Sequence, residues 1–264
     1  MAFASLRVRE MKVVVSDDAQ TAGDALRLAH DGGVEAGFVE PTITGMRFSP
    51  AFLNPGTTFA VAYVDDEPIA SLVLTEDGPF GLPADRAFIE EVDGFRRQGD
   101  SIFEAGAWTI TRAWRRHTVL VGSSLFGAAM RLNIGAPEPR RMIVVVEPHR
   151  VRMVAEIFAN DLITEERPYL GLPGTLIVTR HSSDWASHFL DTAGFSPRRV
   201  VSERVFDPDP AWLQVGRDGV HWTEALLPPL LAESNVEQLL EAKLSLLRDP
   251  MAAHAKGSAR SAVV

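Results

Sequence analysis

Glu104 sits in an apolar run, and a few residues later the chain turns basic at Arg112, Arg115, Arg116 and His117. A carboxylate so placed can take a proton from a nucleophile or hand one to a leaving group. Arginines beside the free N–H groups of a helix start can hold a phosphate. A small-residue helix is expected from about Thr118 to Asn133, so the amides of Thr118 and Val119 would join the arginines there. Blander roles are also open. Glu104 on a strand between Phe103 and Ala105 could instead form an ion pair, for example with Arg112, and the other arginines could be solvated surface charge. Ser123 and Ser124 lack the G-x-S-x-G surroundings of a hydrolase elbow.

These residues need a scaffold. Asp17 or Asp18 caps a helix to Leu28, with a turn-rich stretch from Gly32 to Pro55. Thr57–Val64 and Pro68–Thr75 read as a hairpin around Asp65-Asp66-Glu67. Asp85 caps a helix to Gln98, ended by Gly99. Ile102–Thr111 is the central strand, and Met142–Val146 is a strand covered on both faces. Pro148 opens a helix through Phe158, Gly174–Thr179 is a further strand, and Ser182 or Ser183 caps a helix to Gly194. The pattern predicts an α/β (α+β mixed) fold with a central, largely antiparallel sheet flanked by helices. It divides into 1–200 as the main domain, 201–250 as a C-terminal helical appendage, and 251–264 as a disordered tail. In the appendage Pro208, Pro210, Pro228 and Pro229 break long elements. Ser234-Asn-Val-Glu237 is a capping box for a helix ending at Pro250. The appendage would pack on the core, cover a groove or mediate self-association.

The chain has 264 residues, 46% hydrophobic and 23% charged, ordinary values for a soluble globular protein. It has no cysteine, which excludes disulfides and thiolate chemistry, and its seven histidines show no metal-ligand spacing. No apolar run is long enough for a membrane span and no signal peptide is evident, so a cytoplasmic location is expected. Net charge is −9, yet residues 112–152 carry +6, leaving −15 elsewhere. A basic block in an acidic protein can attract an acidic partner while disfavouring nucleic acid. Solvation or surface ion pairing of those arginines is the alternative.

The run Glu104-Ala-Gly-Ala-Trp-Thr-Ile-Thr-Arg112 and the helix after it resemble the FeeM-type long-chain N-acyl amino acid synthases. These are a branch of the GNAT acyltransferase superfamily related to the acyl-homoserine-lactone synthases. Leu82–Asp85 with Phe88–Asp93 resembles that family's helix before its central strand. Met142–His149 resembles its fifth strand, and Glu166–Thr179 its sixth; the likeness spans about residues 20 to 190. The resemblance implies a GNAT-like sheet and transfer of an acyl chain from a phosphopantetheine thioester to an amine. The donor would be acyl carrier protein or acyl-coenzyme A, with no tightly bound cofactor and no metal. It implies a backbone N–H near Trp108 to Ile110 at a bulge of the central strand, meeting the thioester carbonyl, and Glu104 as base or amine ligand. Arg112, Arg115, Arg116, His117, Thr118 and Val119 fall at the family's phosphate loop. Thr118 or Val119 stands where its first glycine would be, which favours a single pantetheine phosphate over a pyrophosphate. Met153 stands near the position of a general-acid tyrosine. Phe103, Trp108, Phe126, Met130 and Met153 would line an acyl tunnel or be plain core, and His149 would line the amine site or cap its helix.

Three functions follow. One is N-acyl transfer from acyl carrier protein to an amino acid or similar small amine. Another is N-acetylation from acetyl-coenzyme A. The third is a catalytically weak relative that binds an acyl chain or carrier protein, acting or self-associating through its C-terminal helices.

Overall fold

Two apolar runs meeting at Asp65-Asp66 form the first hairpin. In the computed structural model Thr58–Val64 (β2) and Glu67–Glu76 (β3) pair antiparallel. Asp65 and Asp66 have φ of 53° and 63°. Positive φ at both turn residues gives the twist a two-residue hairpin needs, and Asp tolerates it. The structure describes residues 11–135, 140–157, 160–170, 172–179, 203–216 and 218–232. The helix expected at 182–194, the capping box at 234–237 with its helix, the tail 251–264 and the side chain of Met153 lie outside the described residues.

The other strands are β1 (Lys12–Ser16), β4 (Ser101–Ile110), β5 (Arg140–Val146), β6 (Asn160–Ile163), β7 (Arg167–Tyr169), β8 (Leu172–Thr179) and β9 (Leu213–Val215). Their order is β6-β8-β5-β4-β3-β2-β1-β9, with β7 folded back on β8. Only β4 with β5 and β1 with β9 run parallel among the described strands. The chain passes from β4 to β5 through helix α3 (Thr118–Ile134). The fold is therefore mixed α/β, a largely antiparallel sheet flanked by helices. The stretch read as one strand ending at Thr179 is a hairpin, β7 turning into β8 at Leu170, whose φ is 50°. β1, β6 and β9 were not anticipated: they span three to five residues, too few for a period to show.

Helix α1 covers Ala19–Glu35, so the stretch after Gly32 is not all loop. Its cap is Asp18, accepting from the N–H of Gln20 at 2.9 Å and of Thr21 at 3.0 Å. The helix continues through Gly32 because it lies directly on β4: a Cβ there would come within 2.7 Å of Thr109 Cγ2. Helix α2 is Asp85–Gln98, ended by Gly99 in the left-handed region. Asp85 is not its N-cap. Ala84 occupies that place, and Asp85 reaches back to accept from Leu82 N at 2.9 Å. Helix α4 is Pro148–Ile157 and α5 is Trp222–Leu231.

The sheet buries apolar side chains on both faces. Over one face, Val121, Leu125 and Phe126 of α3 and Val154 of α4 pack on Val13, Ala60, Leu72 and Phe103. Over the other, α1 and α5 cover Phe59, Val61 and Val73, and α2 covers Ile102, Ile143 and Leu176. Trp222 is 1% exposed and meets the Phe59 ring edge-on at 5.6 Å. Pro228 and Pro229 do not break the C-terminal segment as expected but lie inside α5. They fall in its last turns, where lost N–H donors cost less than the burial of Trp222 and Leu230 returns. The described part of the C-terminal segment thus adds a strand to the sheet as well as a helix to its face.

The turn before α2 is stitched from several sides. Arg96 contacts Asp77 at 2.7 Å, Asp93 at 2.8 Å and Asp85 at 2.9 Å. Asn54 Nδ2 donates to Gly81 O at 2.7 Å and its Oδ1 accepts from Phe80 N at 2.9 Å. Removing Arg96 leaves three carboxylates facing one another, partly screened by solvent. Arg96→Met is expected to lower stability by about 1–3 kcal/mol, read from urea unfolding midpoints against wild type.

Candidate active site

Parallel pairing of β4 and β5 runs from Ser101↔Arg140 to Glu104↔Ile143 and stops there. Beyond it the strands part, and a cavity of about 600 Å³ opens between Glu104–Ile110 and Val144–Val146. Gly32, Glu35, Phe38, Arg47 and Tyr169 wall it from the α1 side, and Phe126, His149 and Arg150 from the α3 and α4 side.

β4 is bulged beside this opening. Its pairing with β3 steps from Ser71↔Thr109 to Val73↔Gly106, one residue more on β4 than on β3, and Ala107 has φ of 50°. The bulge is centred on Ala107 and Trp108, slightly earlier than the expected span from Trp108 to Ile110. Its effect is to change the facing of side chains, since an extra residue reverses the period-two alternation. Ala107 packs with the α1-side core, whereas Trp108 packs with the α3-side core. Trp108 fits because Gly122 has no side chain: a Cβ there would lie 2.9 Å from the indole Cζ2. The ring also meets Phe126 at 5.2 Å and lies under the Arg150 guanidinium at 5.2 Å. Its indole N–H is buried without a hydrogen-bond partner among the described residues.

Glu104 is 1% exposed. Its Oε2 accepts from Ala84 N at 2.7 Å, and Tyr169 OH donates to Oε1 at 3.3 Å. Burial is the main cause that pushes the carboxyl up to about 8; the bonds from Ala84 and Tyr169 pull it back, and the charge of Asp85 adds to the rise. Tyr169 is pushed well above its ordinary value, by burial first and then by Glu104. The pair with Arg112 considered for Glu104 does not form: Arg112 is exposed, beyond the far end of β4.

Of the residues singled out from sequence, Glu104, Trp108, Ile110, Arg115, Thr118, Phe126 and His149 line the cavity. Phe103 and Met130 are instead buried in the α3-side core, 3% and 0% exposed, and are not part of the wall. Arg112, Arg116, His117 and Val119 lie on the 3₁₀ turn Arg112–His117 and the first turn of α3, outside the lining. Arg115 hydrogen-bonds Glu35 at 3.2 Å and Ile110 O at 3.4 Å, closing one side of the opening. His149 is largely exposed at the start of α4, 3.3 Å from Arg150 Nε. Arg47, Tyr169, Glu35 and Phe38 were missed. Tyr169 stands within a segment already read as strand, but nothing local to Arg47, Glu35 or Phe38 marks them.

The basic block is largely spent within the chain. Arg140 pairs with Glu76 and Arg141 with Asp100 at 2.6 Å. Arg150 pairs with Glu147 at 2.9 Å, and Arg131 donates to Val205 O at 3.1 Å and to Asp207 O at 2.6 Å. Arg112 and Arg116 have no carboxylate partner among the described residues. Among these residues no group of acids and histidines could hold a metal ion, and no helix is long and apolar enough to cross a membrane.

A largely antiparallel sheet opened between two central parallel strands, with a bulge and a buried carboxyl at the opening, is a GNAT-like fold. The sequence profile of the N-acyl amino acid synthase FeeM family matches residues 24–182, and the chain belongs to that family. It is an N-acyltransferase. Its fold is similar to that of FeeM, an N-acyl amino acid synthase from uncultured soil microbes. Identity is 13%, covering 67% of this chain and 93% of that one, with a TM-score of 0.55. The AHL synthase LasI is also similar in fold, at 12% identity over 65% of this chain and 90% of that one, with a TM-score of 0.51. At these identities the likeness is one of architecture. No curated protein matches the sequence.

The raised carboxyl sets a pH signature with a definite sign. Glu104 holds its proton more tightly folded than unfolded, so its contribution to stability is complete below its ordinary value of 4.5. That contribution is lost as pH rises toward about 8. Carbon-detected NMR of labelled glutamate is expected to show one carboxyl titrating near 8, absent in Glu104→Gln. The variant should lose less stability than wild type between about pH 5 and pH 8.

Proposed function

We propose that this enzyme moves an acyl chain from a phosphopantetheine thioester, carried on acyl carrier protein or coenzyme A, to the amino group of an amino acid or similar small amine. The observation that carries this reading is the opening between β4 and β5. It gives access to both faces of the sheet, with a buried carboxyl on one side and a bulged stretch of backbone beside it.

The acceptor enters protonated and must lose a proton before its lone pair can attack. Glu104, titrating near 8, is well matched to a proton that leaves an ammonium group. Nitrogen then attacks the thioester carbonyl, a C–N bond forms, and charge builds on oxygen. Backbone N–H groups freed by the bulge at Ala107 and Trp108 supply the natural donors to that oxygen. Collapse breaks the C–S bond and the sulfur leaves as thiolate, a stable anion that needs no obligatory acid. Nitrogen sheds its second proton to the departing sulfur or to solvent, which leaves a neutral amide, and the proton held on Glu104 returns to solvent. Phe126 and the Trp108 ring offer apolar wall for the acyl chain.

The phosphate of the donor arm would meet the mouth formed by Arg115, Thr118 and the first amides of α3. Arg112, Arg116 and the 49%-exposed Val119 flank that mouth. Two cations with no carboxylate partner among the described residues, beside an exposed apolar side chain, suit an acidic carrier protein.

Mass spectrometry of lipid extracts from bacteria overproducing the protein is expected to show new N-acylated amines that vanish with Glu104→Gln. With purified protein that substitution should lower kcat by roughly 10²–10⁴, with donor KM little changed. Undiminished turnover would remove Glu104 from the chemistry. The Arg112→Ala, Arg116→Ala double variant should raise the KM for acyl carrier protein, and more so at low salt. An effect independent of ionic strength would argue against electrostatic docking.

A further inference from the structure

Every other arginine on the cavity wall is answered by a carboxylate: Arg115 by Glu35, Arg150 by Glu147. Arg47 is the exception. It reaches the cavity from the loop after α1, where its backbone N–H is pinned to Leu26 O at 3.0 Å. Its guanidinium lies over the Phe38 ring at 5.3 Å, and it has no hydrogen bond or ion pair among the described residues. It is only partly exposed, and burial, more than any other cause, disfavours its charge. Of its neighbours, Tyr169 acts in favour of that charge and Arg86, a second cation, acts against it.

The same end of the cavity holds the Glu104–Tyr169 pair. Tyr169 donates to Glu104 and feels the positive charge of both Arg47 and Arg86. Both carboxyl oxygens of Glu104 are already engaged, by Ala84 N and by the tyrosine hydroxyl. No hydrogen bond or ion pair joins Glu104 to Arg47, and Glu104 is not among the groups that act on its charge. Nor does the phosphate-binding mouth serve: Arg115 contacts Ile110, and six residues of strand, up to about 20 Å, separate Ile110 from Glu104. A half-buried, preorganised guanidinium with no internal anion fits an anion brought by the substrate, and its planar fork fits a carboxylate.

We propose that Arg47 is the residue that selects the acceptor, binding the carboxylate of an α-amino acid. One carbon separates that carboxylate from the amine, so anchoring it on Arg47 holds the nitrogen at the Glu104 end of the opening. Amines without the carboxylate would leave Arg47 unanswered and bind poorly. This assignment rests on the transferase reading above, and its test separates the two.

The acceptor pairs to compare are each of the twenty amino acids and its primary amide. They are offered to wild type, Arg47→Met and Arg47→Lys with acyl carrier protein or coenzyme A thioesters as donor. Wild type should favour acids over amides by roughly 10²-fold in kcat/KM. Arg47→Met should erase that preference by raising the acceptor KM, leaving donor KM and unfolding temperature close to wild type. Arg47→Lys should restore part of it. Retention of the preference in Arg47→Met, or its absence in wild type, would overturn the assignment while leaving the transferase reading intact. If no acceptor is acylated, the transferase reading itself fails. Calorimetric binding of the same free amino acids then decides on Arg47 alone: binding lost in Arg47→Met and weak for the amides supports it, and no binding to wild type sinks it.

Discussion

The hydrogen bond from Ala84 N to Glu104 is where the structure's constraints converge. A carboxyl carried into the interior on a strand must be given donors or kept neutral, and here one strong donor and a weaker one offset burial only in part, so that Glu104 titrates near 8. The donor exists only because the turn before α2 is held in place. Asp85 ties that turn to its own backbone and to Arg96, Arg96 ties it to Asp77 at the end of β3, and Asn54 closes it from a third direction. A cluster of charges outside the cavity thereby fixes the donor that positions the buried acid inside it and moderates its proton affinity.

The second constraint is the course of β4. It pairs with β3 on both sides of the bulge but leaves β5 after Glu104, and the space between β4 and β5 is the cavity. The bulge redirects Trp108 to the α3 side while Thr109 faces α1, and each is received by a glycine, Gly122 and Gly32. Helices can approach the strand closely on both faces only because those two positions lack a Cβ. The narrow walls of the opening follow from that close approach.

Arginine chemistry shows how far a basic sequence can mislead. Eight arginines between 112 and 152 read as one positive face. Folding distributes them: Arg140 and Arg141 brace strands, Arg131 holds backbone carbonyls of the C-terminal segment, Arg150 covers Trp108, and Arg115 bridges to α1. The cation with most to offer a ligand, Arg47, belongs to a loop with no charge cluster at all.

The hairpin at Asp65-Asp66, the helices ending at Gly99 and beginning at Thr118, and the strands through Glu104 and Val144 were legible in the sequence. Their signals are local: a period of two, a capping residue, a turn that needs positive φ. The extension of α1 through Gly32, the prolines inside α5 and the pairing of β9 on β1 were not, because each local preference is overridden by a surface distant in sequence. The same division holds at the site. Sequence alone determined that Glu104 would lie on a central strand leading through a basic turn into a helix that begins at Thr118, since strand, turn and helix are contiguous. Only the tertiary structure decided that Ala84 and Tyr169 would hold its carboxyl, that Phe103 and Met130 would be core, and that Arg47 would face the opening. Those outcomes depend on segments 20 to 65 residues apart meeting in space, and no spacing along the chain encodes such a meeting.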